Sequence, residues 1–203
     1  MTTSTVYLVD TNSYVRIARS TKNILGDFAG LHLRLIAEIA TECNRSSRLK
    51  SITPWILQPP HPDHRNAWTL RTTKDEQKLV NKNCIDLRDA VEDALEDFAA
   101  RKRGRGDHRP VLSGPDKALF FTAYTLWFGV VTDEAPLTAV CKEFDIPHFT
   151  TLELLKHLVE HEVLTKAQID AMVKYWQYEK DEPKDWKRHY RKHFGDPLPI
   201  FVA

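Results

Sequence analysis

The chain has 203 residues, 42% of them hydrophobic and 28% charged, which suffices to bury a real core in one domain. With 29 basic against 28 acidic side chains the net charge is +1, so no global field draws it to nucleic acid and any basic surface must be local. These values exclude a disordered tail, a collagen-like repeat and a small disulfide scaffold. The three cysteines, Cys43, Cys84 and Cys141, are odd in number and far apart, which suits a reducing compartment and argues against a Cys-ligated zinc site. The opening MTTSTVYLVD has no basic n-region, and no stretch approaches the length of a transmembrane helix. The expectation is a soluble cytoplasmic protein with no membrane partner.

In chain order, the apolar run Val6-Tyr7-Leu8-Val9 predicts a strand buried on both faces. It ends in Asp10-Thr11-Asn12, which is helix N-cap chemistry, and Tyr14, Val15, Ile17 and Ala18 continue at helical spacing. Leu33 to Ile36 predicts a second strand, and a helix follows from about Ala37 to Arg45, with Glu38 and Glu42 on one face. The proline-bearing stretch from 51 to 73 reads as an irregular connection. One long helix is expected from about Lys74 to Arg103, its apolar stripe running through Val80, Cys84, Leu87, Val91, Ala94 and Phe98.

A basic stretch from Arg101 to Arg109 comes next, then an apolar helix from Asp116 to Phe128. Gly129 to Thr132 predicts another short buried strand, ending in Asp133-Glu134. A helix from about Pro136 to Phe144, an edge strand near Ile146 to Phe149, and helices over about 152–161 and 166–179 complete the pattern. The last 25 or so residues are basic and aromatic. Short strands alternating with helices indicate an α/β sandwich on a mainly parallel sheet. A single domain over 1–203 is expected, with a helical insertion at about 51–113 and a C-terminal extension at about 180–203.

Ligands in such sheets bind at the carboxyl ends of the strands. Two strands end in an acid there, Asp10 and Asp133; Asp116 opens the helix between them, and Glu38 or Glu42 follows the second strand. Carboxylates converging without basic partners raise one another's pKa, and a divalent cation relieves the repulsion. Oxygen ligands alone favour Mg²⁺ or Mn²⁺ over zinc. Each acid also has a plain structural reading: Asp10 as an N-cap, Asp133 as an ordinary helix start, Asp116 as a first-turn acid against the helix dipole, and the glutamates as exposed helix residues.

The stretch VYLVDTNSYVRI resembles the opening of PIN-domain nucleases, and PDKALFFTAYTLWFGVVTDEAPLTAVCKEFDIP resembles the second half of that family, with TLELLKHLVEHEVLT similar to its closing helix. The resemblance covers roughly residues 6–45 and 114–165. It implies a three-layer α/β/α sandwich and a metal-dependent endoribonuclease. Asp10, Asp116 and Asp133 would be catalytic metal-binding carboxylates, with Glu42 preferred over Glu38 as the fourth because of its distance from Leu35-Ile36. Thr11 or Asn12 would orient the site. Mg²⁺ or Mn²⁺ is the implied cofactor and RNA the implied substrate. Many compact members are toxins neutralised by an antitoxin, so an antitoxin or other protein partner, or a homodimer, belongs to the same expectation. About seventy residues separating Glu42 from Asp116, and the extended tail, depart from the compact pattern. Two alternatives stay open: an inactive RNA- or protein-binding module and an α/β phosphatase.

Among the remaining signals, Arg101, Lys102, Arg103, Arg105 and Arg109 suit a phosphate backbone, or simply a solvated helix end. The tail's Trp186, Arg188, Tyr190 and Arg191 suit stacking on bases, or packing back on the domain. His61 with His64 reads as a surface loop, and His157 with His161 as a solvated helix face. No phosphate-binding glycine loop and no G-x-S-x-G occurs.

Overall fold

A computed structural model describes residues 5–20, 25–28, 30–45, 68–101 and 110–202. The expectations placed on His61, His64, Lys102, Arg103, Arg105 and Arg109 lie outside the described residues. The elements are β1 (Thr5–Val9), α1 (Thr11–Ser20), β2 (Gly26–Phe28), β3 (Leu31–Arg34), α2 (Ala37–Arg45), α3 (Lys74–Asp86), α4 (Arg88–Arg101), α5 (Gly114–Leu126), β4 (Gly129–Val131), α6 (Ala135–Glu143), β5 (His148–Phe149), α7 (Thr151–Glu160), α8 (Lys166–Glu179) and α9 (Trp186–Phe194).

The strands form one five-stranded sheet in the order β2-β3-β1-β4-β5. All neighbours are parallel except β2, which runs antiparallel to β3 at the edge. The expected α/β sandwich is therefore present. From β1 the chain crosses over α1 to β3 on one side, and from β4 it crosses over α6 to β5 on the other. Crossovers of one hand leaving in opposite directions cover opposite faces, which gives the three layers. The two directions part between β1 and β4, so the carboxyl ends of those strands flank the switch point.

The sequence accounts for most of this. Leu8, Val9, Val130 and Val131 are fully buried, as continuous apolar runs in a parallel sheet should be. Capping boxes start α3 (Thr73 with Glu76), α5 (Ser113 with Asp116), α7 (Thr150 with Glu153) and α8 (Thr165 with Gln168), each satisfying amides that the helix itself leaves orphaned. No described helix is long and apolar enough to cross a membrane. All three cysteines are free, and burial pushes the Cys43 thiol up to about 11 and the Cys141 thiol up to about 12, which keeps them unreactive.

Three expectations need correction. The second strand is Leu31–Arg34 rather than 33–36, because Leu31 and Leu33 point inward while His32 and Arg34 alternate outward. Leu35 instead bridges to Thr69. The edge strand β2 is additional to the expected strands, and it carries no apolar run to mark it. The long helix is two: Leu87 leaves helical geometry at φ −104°, ψ 6°, which lets α3 pack on α5 while α4 packs on α6. The tail's Trp186 and Tyr190 follow the second of their two readings: they are carried on α9 and pack inward on the domain.

Gly129 opens β4 directly under the Tyr7 ring, which also stacks on Phe149 with centroids 4.8 Å apart. A Cβ at residue 129 would stand 2.3 Å from that ring. Gly129→Ala should therefore cost roughly 1–3 kcal/mol of stability through overpacking. Urea denaturation measures this, and an unchanged midpoint would contradict the packing described.

Candidate functional site

The parallel register sets Val9 against Val131, and the Asp10 amide donates to the Val131 carbonyl at 3.0 Å. Asp10 therefore leaves the sheet beside Thr132, one residue before Asp133. Its carbonyl accepts the first α1 bond from the Tyr14 amide, and its Oδ1 accepts the Ser13 amide at 2.6 Å. So Asp10 does cap α1, as its structural reading holds. Its second oxygen is different: Oδ2 is buried with no partner within hydrogen-bond distance among the described residues, although the Thr132 and Ser13 hydroxyls lie near enough to the carboxyl to favour its ionised form.

Such an oxygen is costly when ionised. Burial, chiefly, pushes the Asp10 carboxyl from an ordinary 3.8 up to about 7, against opposing contributions from the Thr132 hydroxyl and the Ser13 amide, with the Asp133 charge adding to the rise.

Asp133 has the opposite environment. Arg16 Nη1 donates to its Oδ2 at 2.8 Å, and the Thr151 amide and hydroxyl donate to its two oxygens at 3.0 and 2.5 Å. Arg16 is itself held by the end of α8: its Nε donates to the Asp181 carbonyl at 3.0 Å, and its own carbonyl accepts Trp176 Nε1 at 3.0 Å. The expectation of acids without basic partners is thus corrected. Arg16 lies six residues beyond Asp10, and nothing in the sequence pairs it with a residue in the second half of the chain.

Glu42 is exposed on α2, and its Oε2 accepts the Thr11 hydroxyl at 2.5 Å, next to Asp10. Asn12 donates to Glu134 Oε1 at 2.9 Å. Thr11 and Asn12 therefore tie a glutamate on either side to the start of α1, and Glu134 is a further acid at this edge that the motifs do not single out. Glu38 is exposed one turn before Glu42. Asp116 opens α5, the helix that precedes β4. Its Oδ2 is engaged with the Ser113 amide at 3.2 Å and hydroxyl at 2.7 Å.

Asp10 and Asp133 are brought together and Glu42 reaches their neighbour Thr11, whereas the recorded bonds of Asp116 are those of its own helix cap. As placed, no three Asp, Glu, His or Cys residues among the described residues form a group that could hold a metal ion. The donors are nevertheless the hard oxygens that suit Mg²⁺ or Mn²⁺, and Asp10 Oδ2 is the one buried carboxylate oxygen lacking a partner among the described residues. Asp10 and Asp133 would hold such an ion first; Glu42 would join by exchanging its bond to Thr11. No family model, curated protein or solved structure matches the chain.

The Asp10 shift makes a signed prediction. Below pH 4 the proton is on in both folded and unfolded chains. Between 4 and about 7 the unfolded chain releases it first, so stability falls as pH rises through that window and levels off above it. The loss is at most about 4 kcal/mol. Asp10→Asn keeps the cap but carries no proton to lose. In chelator its denaturation midpoint should match wild type near pH 4 and exceed it at pH 8. Parallel pH profiles for the two proteins would contradict the assignment.

Proposed function

We propose that the chain is a Mg²⁺- or Mn²⁺-dependent endoribonuclease of the PIN type. The observation that carries the reading is the orphaned, buried Oδ2 of Asp10 at the carboxyl edge of a parallel sheet, beside Asp133 and within one residue of the Glu42 contact. A buried carboxylate oxygen without a donor needs either a proton or a cation. A bound Mg²⁺ or Mn²⁺ supplies an activated water and charge for the leaving oxygen of a phosphodiester.

The chain's own groups have separable tasks. Asp133 is held in one orientation at the strand end by Arg16 and Thr151. Burial raises the Asp10 pKa to about 7, so a cation held by its carboxylate would compete with a proton there, and cation binding should strengthen with pH through about 7. Thr11 and Asn12 fix the glutamates on either side of the α1 start. A role as the toxin of a toxin–antitoxin pair rests on the family resemblance alone.

A second reading is favoured by two specific contacts. The Arg16–Asp133 ion pair and the Ser113–Asp116 cap already satisfy two of the four acids, which suits a module that binds RNA or protein without cleaving it. Turnover separates the two. Incubated with single-stranded RNA, wild type should cleave with Mg²⁺ or Mn²⁺ and not with EDTA, and Asp10→Asn or Asp133→Asn should lose at least about a hundredfold in rate while remaining folded. Asn variants that cleave at the wild-type rate would remove the metal role. RNA binding without turnover in any divalent ion would select the inactive module.

A further inference from the structure

Asp181, at the start of the tail, braces Arg16, whereas no hydrogen bond described at the acid site comes from α9, the tail's basic and aromatic helix. In α9 the rings of Trp186 and Tyr190, one turn apart, are buried, whereas Lys187, Arg188, Arg191 and Lys192 are all exposed on the other side. The helix contains no acid. Neighbouring carboxylates hold two of these cations loosely: Arg188 Nη2 is 3.9 Å from Asp185, and Lys192 Nζ is 3.8 Å from Glu153. The Arg188–Asp185 pair is exposed and contributes about 0–1 kcal/mol, and Glu153 is already engaged in the α7 cap, so both cations can turn to a phosphate.

A second observation connects this face to one of the acids. A cleft of about 1500 Å³ with walls from α4, α6, α7 and α9 is lined by both Asp133 and, on α9, Arg188 and Lys192, while Asp10 lies outside its lining. Its lining carries both signs, with Lys142, Lys156 and Lys184 interspersed among Glu143, Glu160 and Glu182, so the α9 cations are a local basic stretch within it. It is larger than the roughly 300–1,000 Å³ that encloses a single small ligand. The half-buried rings of His148, Phe149 and His157 also line it. Unpaired bases stack on such rings, whereas a duplex keeps its bases turned inward.

We propose that this cleft is the track for a single RNA strand, with Arg188 and Lys192 contacting its phosphates and leading the chain toward Asp133. The proposal rests on the nuclease reading for the identity of the polyanion, and α9 lies beyond the portion of the chain that resembles the nuclease family.

The test is fluorescence anisotropy of an end-labelled oligouridylate in EDTA, across a salt series, so that no cleavage intervenes. Wild type is compared with Arg188→Gln/Lys192→Gln and with a control, Lys78→Gln/Lys82→Gln, which removes two exposed cations from α3. Circular dichroism checks that all three are folded. The α9 variant should bind more weakly, with the slope of log K against log salt reduced by about 0.7 for each phosphate that is no longer neutralised. The control should match wild type. Equal affinity and slope in wild type and the α9 variant, an equally weakened control, tighter binding of duplex than of single strand, or no binding by wild type would each overturn the track. The same proteins are then assayed for cleavage in Mn²⁺. Binding that depends on α9 without any cleavage supports the track while contradicting the nuclease. Cleavage with no dependence on α9 contradicts the track and supports the nuclease.

Discussion

Parallel pairing of β1 with β4 is the constraint from which the site follows. The register sets Val9 opposite Val131, so each strand runs out at the same edge and delivers Asp10 beside Thr132 and Asp133. The pairing itself depends on close contact: Tyr7 lies over a residue that has room only for hydrogen, and it extends the sheet's packing to Phe149 on β5. Because α1 begins where β1 stops, one carboxylate faces two demands. Asp10 Oδ1 satisfies the helix, and Oδ2 is left buried without a donor.

The two strand-end acids have different surroundings. Desolvation dominates at Asp10 and favours its protonated form. At Asp133 a guanidinium and two donors from Thr151 surround the charge. Arg16 can do this because α8 and Asp181 fix it from behind, through Trp176 and the Asp181 carbonyl. The C-terminal half of the chain thus holds the N-terminal acid site in shape, although the residues concerned are more than 100 positions apart.

What can be read in the sequence divides along the same physical line. Val6–Val9 and Gly129–Val131 are legible because strands buried on both faces are continuous apolar runs. Asp116 is legible as a first-turn acid because Ser-Gly-Pro-Asp spells a capping box. The sequence pattern places β3 two residues too late, since its inward leucines alternate with His32 and Arg34, and alternation over four residues is a faint signal beside the apolar Leu35-Ile36. β2 has three residues and no pattern at all. The break at Leu87 has neither proline nor glycine to mark it; it answers to packing against two different helices. At the site, the acids are legible by type and position, while their partners are not. Arg16 with Asp133, Thr11 with Glu42 and Asn12 with Glu134 are contacts of tertiary structure, set by which strands and helices become neighbours.

The central claim is that Asp10 Oδ2 is a seat for a divalent cation. A crystal grown or soaked with Mn²⁺ above pH 7, measured at a wavelength where manganese scatters anomalously, addresses it directly. The account predicts an anomalous peak about 2.0–2.2 Å from Asp10 Oδ2, with Asp133 or Glu42 among the other ligands. An anomalous map with no peak at Asp10, or manganese found only at other carboxylates, would contradict it.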